Sequence, residues 1–365
     1  MNILGIIVLI FLYQMINLDQ IFRMRINQTK YRIIFSAVLV VASVFLTSFS
    51  PHSASSDLPY GFTVSFPNTT FSAQSYSYEP VFDQNADSVI IPLKRAGRLF
   101  LIEAKVDGEA GNLVFDTGAN GLVLNSTYFR NHLKSEGGAS NAINGSMGAM
   151  ERIFVNQIEF ADLTYRKLAA DVANLGHIEN RRGVKILGLV GFCMMRNLEV
   201  VIDATNNELK LFRIDKSGNR LSQKSTFKPD HTQKMEGNTN ILFMRGVMGG
   251  KVLNFCLDTG AETNTISRDL SKKVMSTLTI TRRAVLKGVG TAGNEVLFGR
   301  MNDFSMGNKQ IPGMEMVITN LDALSEVYGM HIDGMLGYNF MEHTVMCVNF
   351  VNKQLGIRFM KGKEK

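Results

Sequence analysis

The chain has 365 residues, 45% of them hydrophobic, enough for about two packed domains at a usual ~100 to 200 residues each; a disordered protein is excluded. Its formal net charge is +7, yet the first fifty residues hold Arg23, Arg25, Lys30 and Arg32 against Asp19 alone. Beyond them 35 basic residues (39 − 4) face 31 acidic ones (32 − 1) without a dense basic stripe, so nucleic-acid binding is not indicated.

In chain order, residues 1–55 read as an export signal or a membrane anchor. Arg25, Lys30 and Arg32 precede an apolar run at 33–46, and Ser53-Ala54-Ser55 offers small residues for cleavage. A second apolar stretch at 3–13 leaves two readings open. Either Met24 is the true start of a cleaved signal peptide, or the segment is retained as an anchor. The run at 33–49 is short for a spanning helix of about 20 residues, which favours the signal. Both readings export the rest of the chain, to the periplasm, the outside or the outer face of a membrane. Residues 56–87, rich in Ser, Tyr and Asn, form an N-terminal extension with a strand candidate at 62–66.

From residue 88 onward the sequence runs twice through the same features. A first unit at 88–215 has an apolar strand at 99–106, a turn at Asp107-Gly108, then Leu113-Val-Phe-Asp-Thr-Gly-Ala. A linker at 216–237 follows. The second unit, 238–361, has Ile241-Leu-Phe-Met, a turn at Gly249-Gly250, then Phe255-Cys-Leu-Asp-Thr-Gly-Ala. Downstream, Ile186-Leu-Gly matches Met335-Leu-Gly, and Val200-Val-Ile-Asp matches Cys347-Val-Asn-Phe. The two Asp-Thr-Gly motifs stand 142 residues apart (258 − 116). Short β-branched and aromatic runs between Gly, Asn and Asp clusters predict an all-β fold of two similar lobes. Brief helices are expected near 128–134, 269–275 and 321–328. Arg181-Arg182 and Arg282-Arg283 read as solvated loop charges.

The chemistry concentrates at Asp116 and Asp258. Each follows an apolar strand, and Gly118 and Gly260 permit the tight turn that presents the carboxylate beside the core. One Asp-Thr-Gly arises by chance in roughly one chain in ten of this length. Two at equivalent places in a duplicated frame carry more weight. Two neighbouring carboxylates cannot both ionise cheaply, so they share one proton; the ionised member activates water while the protonated one donates to a carbonyl. The three cysteines, Cys193, Cys256 and Cys347, sit in apolar surroundings that suit buried small hydrophobes. The six histidines lack zinc-ligand spacing, so neither a metal nor another cofactor is expected.

The paired Asp-Thr-Gly-Ala motifs, the later apolar-apolar-Gly triplets and the Gly-rich segments between them resemble the pepsin and retropepsin-like aspartic proteases over residues 89–359. The resemblance implies a bilobal acid-protease fold, two homologous β-barrel-like lobes related by a pseudo-twofold axis. It implies an aspartic endopeptidase acting on polypeptides, a monomer containing an intramolecular pseudo-dimer, with Asp116 and Asp258 as the catalytic dyad. Thr117 and Thr259 would cross-link the two Asp loops, and Gly118 and Gly260 would shape them. Gly145, Met147, Gly148, Gly288, Gly290 and Gly293 fall where substrate-covering flaps would lie. Ala119 and Ala261 replace the Ser or Thr usual in pepsins, which places the chain nearer the single-chain, duplicated, bacterial retropepsin-like type. Without those hydroxyls the carboxylates hold protons more tightly, and a mildly acidic optimum is expected. The first flap candidate lacks the Tyr familiar from pepsins. An inactive peptide-binding or scaffold protein on the same fold is the alternative reading.

Overall fold

The computed structural model describes residues 78–360 apart from 84–85, 120, 131–151, 223–226, 237–240, 287–293 and 312. Tyr78–Ala284 and Glu295–Lys365 fall in one compact unit, which contains both Asp-Thr-Gly motifs. All six flap candidates, and the strand candidate at 62–66, lie outside the described residues.

The chain opens with β1 (Val81–Phe82), β2 (Ser88–Pro92) and β3 (Lys94–Ala96), then the hairpin of β4 (Leu99–Val106) and β5 (Glu109–Phe115). The hairpin turns on Asp107 and Gly108, both at positive φ (47° and 86°), the two-residue geometry that matches strand twist. After β6 (Leu122–Asn125) and helix α1 (Ser126–Phe129) come β7 (Arg152–Phe160), β8 (Leu163–Ala173), helix α2 (Gly176–Arg182) and β9 (Ile186–Val190). Because β7 bonds to both β4 and β8, the ring β4-β5-β9-β6-β8-β7 closes into a six-stranded barrel. The connecting pair β10 (Leu198–Asp203) and β11 (Glu208–Arg213) is followed by β12 (His231–Lys234), so the expected linker contains a strand.

The second lobe repeats the plan with β13 (Leu242–Met248), β14 (Lys251–Leu257), β15 (Asn264–Ser267), α3 (Lys272–Met275), β16 (Leu278–Leu286), β17 (Asn294–Met301), β18 (Ser305–Met306), β19 (Lys309–Gln310) and β20 (Met314–Thr319). It ends with α4 (Asp322–Tyr328), β21 (Gly334–Leu336), α5 (Tyr338–Met341), β22 (Thr344–Asn349) and β23 (Gln354–Phe359). The β13–β14 turn again uses two positive φ angles, at Gly249 and Gly250 (57° and 66°). Here the sheet, β16-β17-β20-β15-β21-β14-β13-β18-β19, curls without closing. With 54% strand and 12% helix, the fold is all-β and two-lobed.

A third sheet, β12-β23-β22-β10-β11-β2, draws strands from both halves. Its central register pairs Val201 with Cys347, Glu199 with Asn349 and Asp203 with Val345. β22 and β23 repeat the bounds of β10 and β11 at an offset of 146 (344 − 198), which makes Val201 equivalent to the Cys347 that it faces. The sequence match of Val200-Val-Ile-Asp to Cys347-Val-Asn-Phe was one residue out of register.

A second correction concerns the apolar-apolar-Gly triplets. Asp116 N–H donates to Val190 O, and Asp258 N–H donates to Leu336 O. Val190 thus corresponds to Leu336, Gly191 to Gly337 and Gly188 to Gly334. The match of Ile186-Leu-Gly to Met335-Leu-Gly was three residues out, because both segments carry two glycines three apart. α2 and α5 were not anticipated; α1, α3 and α4 fall in or beside the expected windows. All three cysteines are free and buried. Among the described residues no helix is long and apolar enough to cross a membrane.

Candidate active site

Each Asp loop is the end of a buried strand threaded between neighbours. β5 runs parallel to β9, which pairs antiparallel with β6; β14, β21 and β15 repeat the arrangement. The close approach depends on glycine. A Cβ on Gly191 would come within 2.1 Å of Ala119 O, and one on Gly337 within 2.5 Å of Ala261 O.

The two loops are tied together reciprocally. Thr117 N–H donates to Thr259 Oγ1 at 2.9 Å, and Thr259 N–H donates to Thr117 Oγ1 at 2.9 Å. The same hydroxyls donate onward, Thr117 to Leu257 O (3.1 Å) and Thr259 to Phe115 O (2.6 Å). Both threonines are fully buried, so each polar atom in this cross-link is satisfied where water cannot reach. The same residue types in both loops give the same bonds in both directions.

Held this way, the carboxyl groups of Asp116 and Asp258 face each other and hydrogen-bond. Asp116 Oδ1 accepts from Gly118 N–H at 2.9 Å and Asp258 Oδ1 from Gly260 N–H at 2.8 Å. A Cβ on Gly118 would lie 3.0 Å from the Asp258 carboxyl carbon; one on Gly260 would lie 2.7 Å from that of Asp116. The second carboxyl occupies the space that a side chain there would fill. Burial raises the proton affinity of both groups, and for Asp258 the neighbouring Asp116 charge adds to it, lifting it well above the ordinary carboxylate value. The loop amides pull the other way and lose. The pair therefore shares one proton.

Several residues around the dyad gave no sign in the sequence. Glu262, which follows Ala261, is buried and forms an ion pair with Arg182 at the end of α2. Arg182 is therefore a half-buried, ion-paired helix residue, a correction to the expected solvated loop charge. Arg282 lies on β16, exposed, with its guanidinium over the Phe298 ring at 4.2 Å. Arg98 Nη1 donates to Glu262 O and to Thr263 Oγ1, both at 3.3 Å. Tyr328, at the end of α4, sets its ring edge-on against Phe243, and burial raises the proton affinity of its phenol.

Two β lobes thus bring a pair of buried aspartates together at one site. Residues 244–340 match the family model described as aspartyl protease, a stretch that includes Asp258, Thr259 and Gly260, and this supports an aspartic protease family for the chain. No curated protein matches the chain.

Proposed function

We propose that the protein is an aspartic endopeptidase that hydrolyses peptide bonds with a water activated between Asp116 and Asp258. The observation that carries the reading is the reciprocal pair of Asp loops, which buries two hydrogen-bonded carboxyls with raised proton affinity in one place. The match to the aspartyl protease family model supports it. Ionised Asp116 takes a proton from water as the oxygen attacks the scissile carbonyl carbon. Asp258 gives its proton to the carbonyl oxygen, forming a gem-diol without a covalent enzyme intermediate. Collapse of the diol breaks the C–N bond, and Asp116 returns its proton to the departing amine while a diol hydroxyl reprotonates Asp258. Thr117, Gly118, Thr259 and Gly260 hold the loops in place. The substrate is polypeptide, the active unit is the monomer, and the basic-then-apolar segment at 25–46 supports export.

The test is incubation of purified protein with an unbiased peptide library at about pH 4 to pH 7, with and without a statine-type transition-state analogue. Cleavage blocked by the analogue, and lost by at least about a thousandfold in both Asp116→Asn and Asp258→Asn, is the expected result. Full activity in either single variant contradicts the shared-proton mechanism. Tight binding of the analogue without any cleavage identifies a peptide-binding scaffold instead.

A further inference from the structure

The contacts around the two Asp loops are unequal. On one side the first lobe reaches across to the loop of Asp258. Arg182 closes α2 and pairs with Glu262, the side chains being 14% and 5% exposed. Arg98, on the turn between β3 and β4, donates to the backbone of Glu262 and the hydroxyl of Thr263, and pairs with Glu315 on β20 at 3.0 Å. Gly97 makes room for this arrangement. Its φ is +66°, and a Cβ there would meet Arg182 Nη1 at 2.6 Å. One Gly-Arg turn thus supplies Arg98 and leaves the space that seats Arg182.

The mirrored positions cannot repeat this. α2 and α4 are equivalent seven-residue helices, each ended by a left-handed glycine, Gly183 and Gly329, and the residue in Arg182's place is Tyr328. The residue after Ala119, in Glu262's place, is Asn120. Neither carries a charge at neutral pH. Arg182 keeps its own charge, since burial draws its guanidinium down only to about 10.

A buried carboxylate is tolerated only with a partner, so Glu262 fixes the loop of Asp258 to the first lobe and ties its geometry to lobe docking. We propose that Arg182, Glu262 and Arg98 form a one-sided latch, a set of positioning residues that holds the Asp258 loop against Asp116. Their catalytic consequence rests on the protease reading above; the latch itself does not.

Two measurements separate these claims. In hydrogen exchange of the full chain, Arg182→Gln and Glu262→Gln each speed exchange of the amides at 257–262 by about tenfold or more, leaving those of Asp116, Gly118 and Ala119, which bond within the first lobe, within about threefold. The double variant, which removes both charges, returns toward wild type, and Arg182→Lys, which keeps the charge without the planar fork, falls between. On a cleaved peptide, kcat drops about 10- to 100-fold in the single variants with KM within about threefold, and recovers in the double variant. Equal loosening of both loops, or wild-type exchange in the single variants, overturns the latch. If a single variant does not fold, the double variant and Arg182→Lys decide: folding of both, with exchange at 257–262 near wild type in the double variant and sped by less than about tenfold in Arg182→Lys, supports the latch, and loss of folding in the double variant contradicts it. Absence of peptidase activity in the wild type defeats the protease reading and leaves the exchange result to decide the latch.

Discussion

At the residue scale, the cost of burying the dyad depends on pH with a definite sign. Asp258 binds its proton more tightly folded than unfolded, where the ordinary value is 3.8. A carboxyl shifted in this direction contributes stability that is fully present below its unfolded value. That contribution is lost as pH rises through its higher folded value. Asp258→Asn keeps the side-chain oxygen that accepts from Gly260 and removes the ionisation. The variant is therefore expected to be more stable than wild type near neutral pH by about 1 to 3 kcal/mol, a gain that shrinks toward about pH 4. Urea unfolding at the two pH values measures this, and an equal or larger gain at the lower pH would contradict the raised proton affinity of Asp258. Asp116 and Asp258 were legible because one tetrapeptide occurs twice in one frame. Arg182, Arg98 and Glu262 were not. A pairing over 80 residues or more (182 to 262, 98 to 262) leaves no period in the sequence, and a solvated arginine and an ion-paired one have the same letters around them.

At the element scale, the site depends on how closely β9 and β21 pass behind the Asp loops. Gly191 is the tightest point, with the Ala119 carbonyl where a methyl would be. Both partners there are backbone, so neither can swing aside. Gly191→Ala is expected to cost about 3 kcal/mol and to lower activity in proportion to the displacement of Asp116, measured by denaturant unfolding and cleavage rate on the same sample. A variant with wild-type stability would show that the loop has slack. Strands and turns were readable here, since Asp107-Gly108 and Gly249-Gly250 are the chemistry that two-residue hairpins need. Register was not. Ile186-Leu-Gly-Leu-Val-Gly and Ile332-Asp-Gly-Met-Leu-Gly each offer two glycines, and only the bonds from Asp116 to Val190 and from Asp258 to Leu336 choose between them. Helix α2 escaped notice because it spans seven residues and buries none of them, so it has no apolar stripe to read.

At the scale of the whole molecule, duplication has produced two lobes that share structure. β10 and β22 pair across the central sheet, and one buried core runs from Val89 and Phe100 through Met346 and Val348. The threonine cross-link and the arginine latch add polar ties near the dyad. Neither lobe keeps its buried surface alone, so unfolding of the described unit is expected as one transition despite the two-lobed shape. The chain has no tryptophan, so its nine tyrosines serve as the fluorescence probe beside circular dichroism. Coincident denaturation curves support shared stability, and two separated steps contradict it. Duplication was legible from the order of features. The closed first barrel and open second sheet were not, because closure depends on whether β7 reaches β4, a pairing between distant segments.

The proposed activity requires Asp116 and Asp258 to work as one proton-sharing unit on peptide bonds. The most direct measurement is the rate of cleavage of a single peptide substrate from about pH 4 to pH 8 by wild type and by Asp258→Asn. The prediction is activity on the acidic side that falls as the pH rises through the raised value of Asp258, and none in the variant. Cleavage by the variant at the wild-type rate, or a wild-type profile that rises above neutrality, would contradict it.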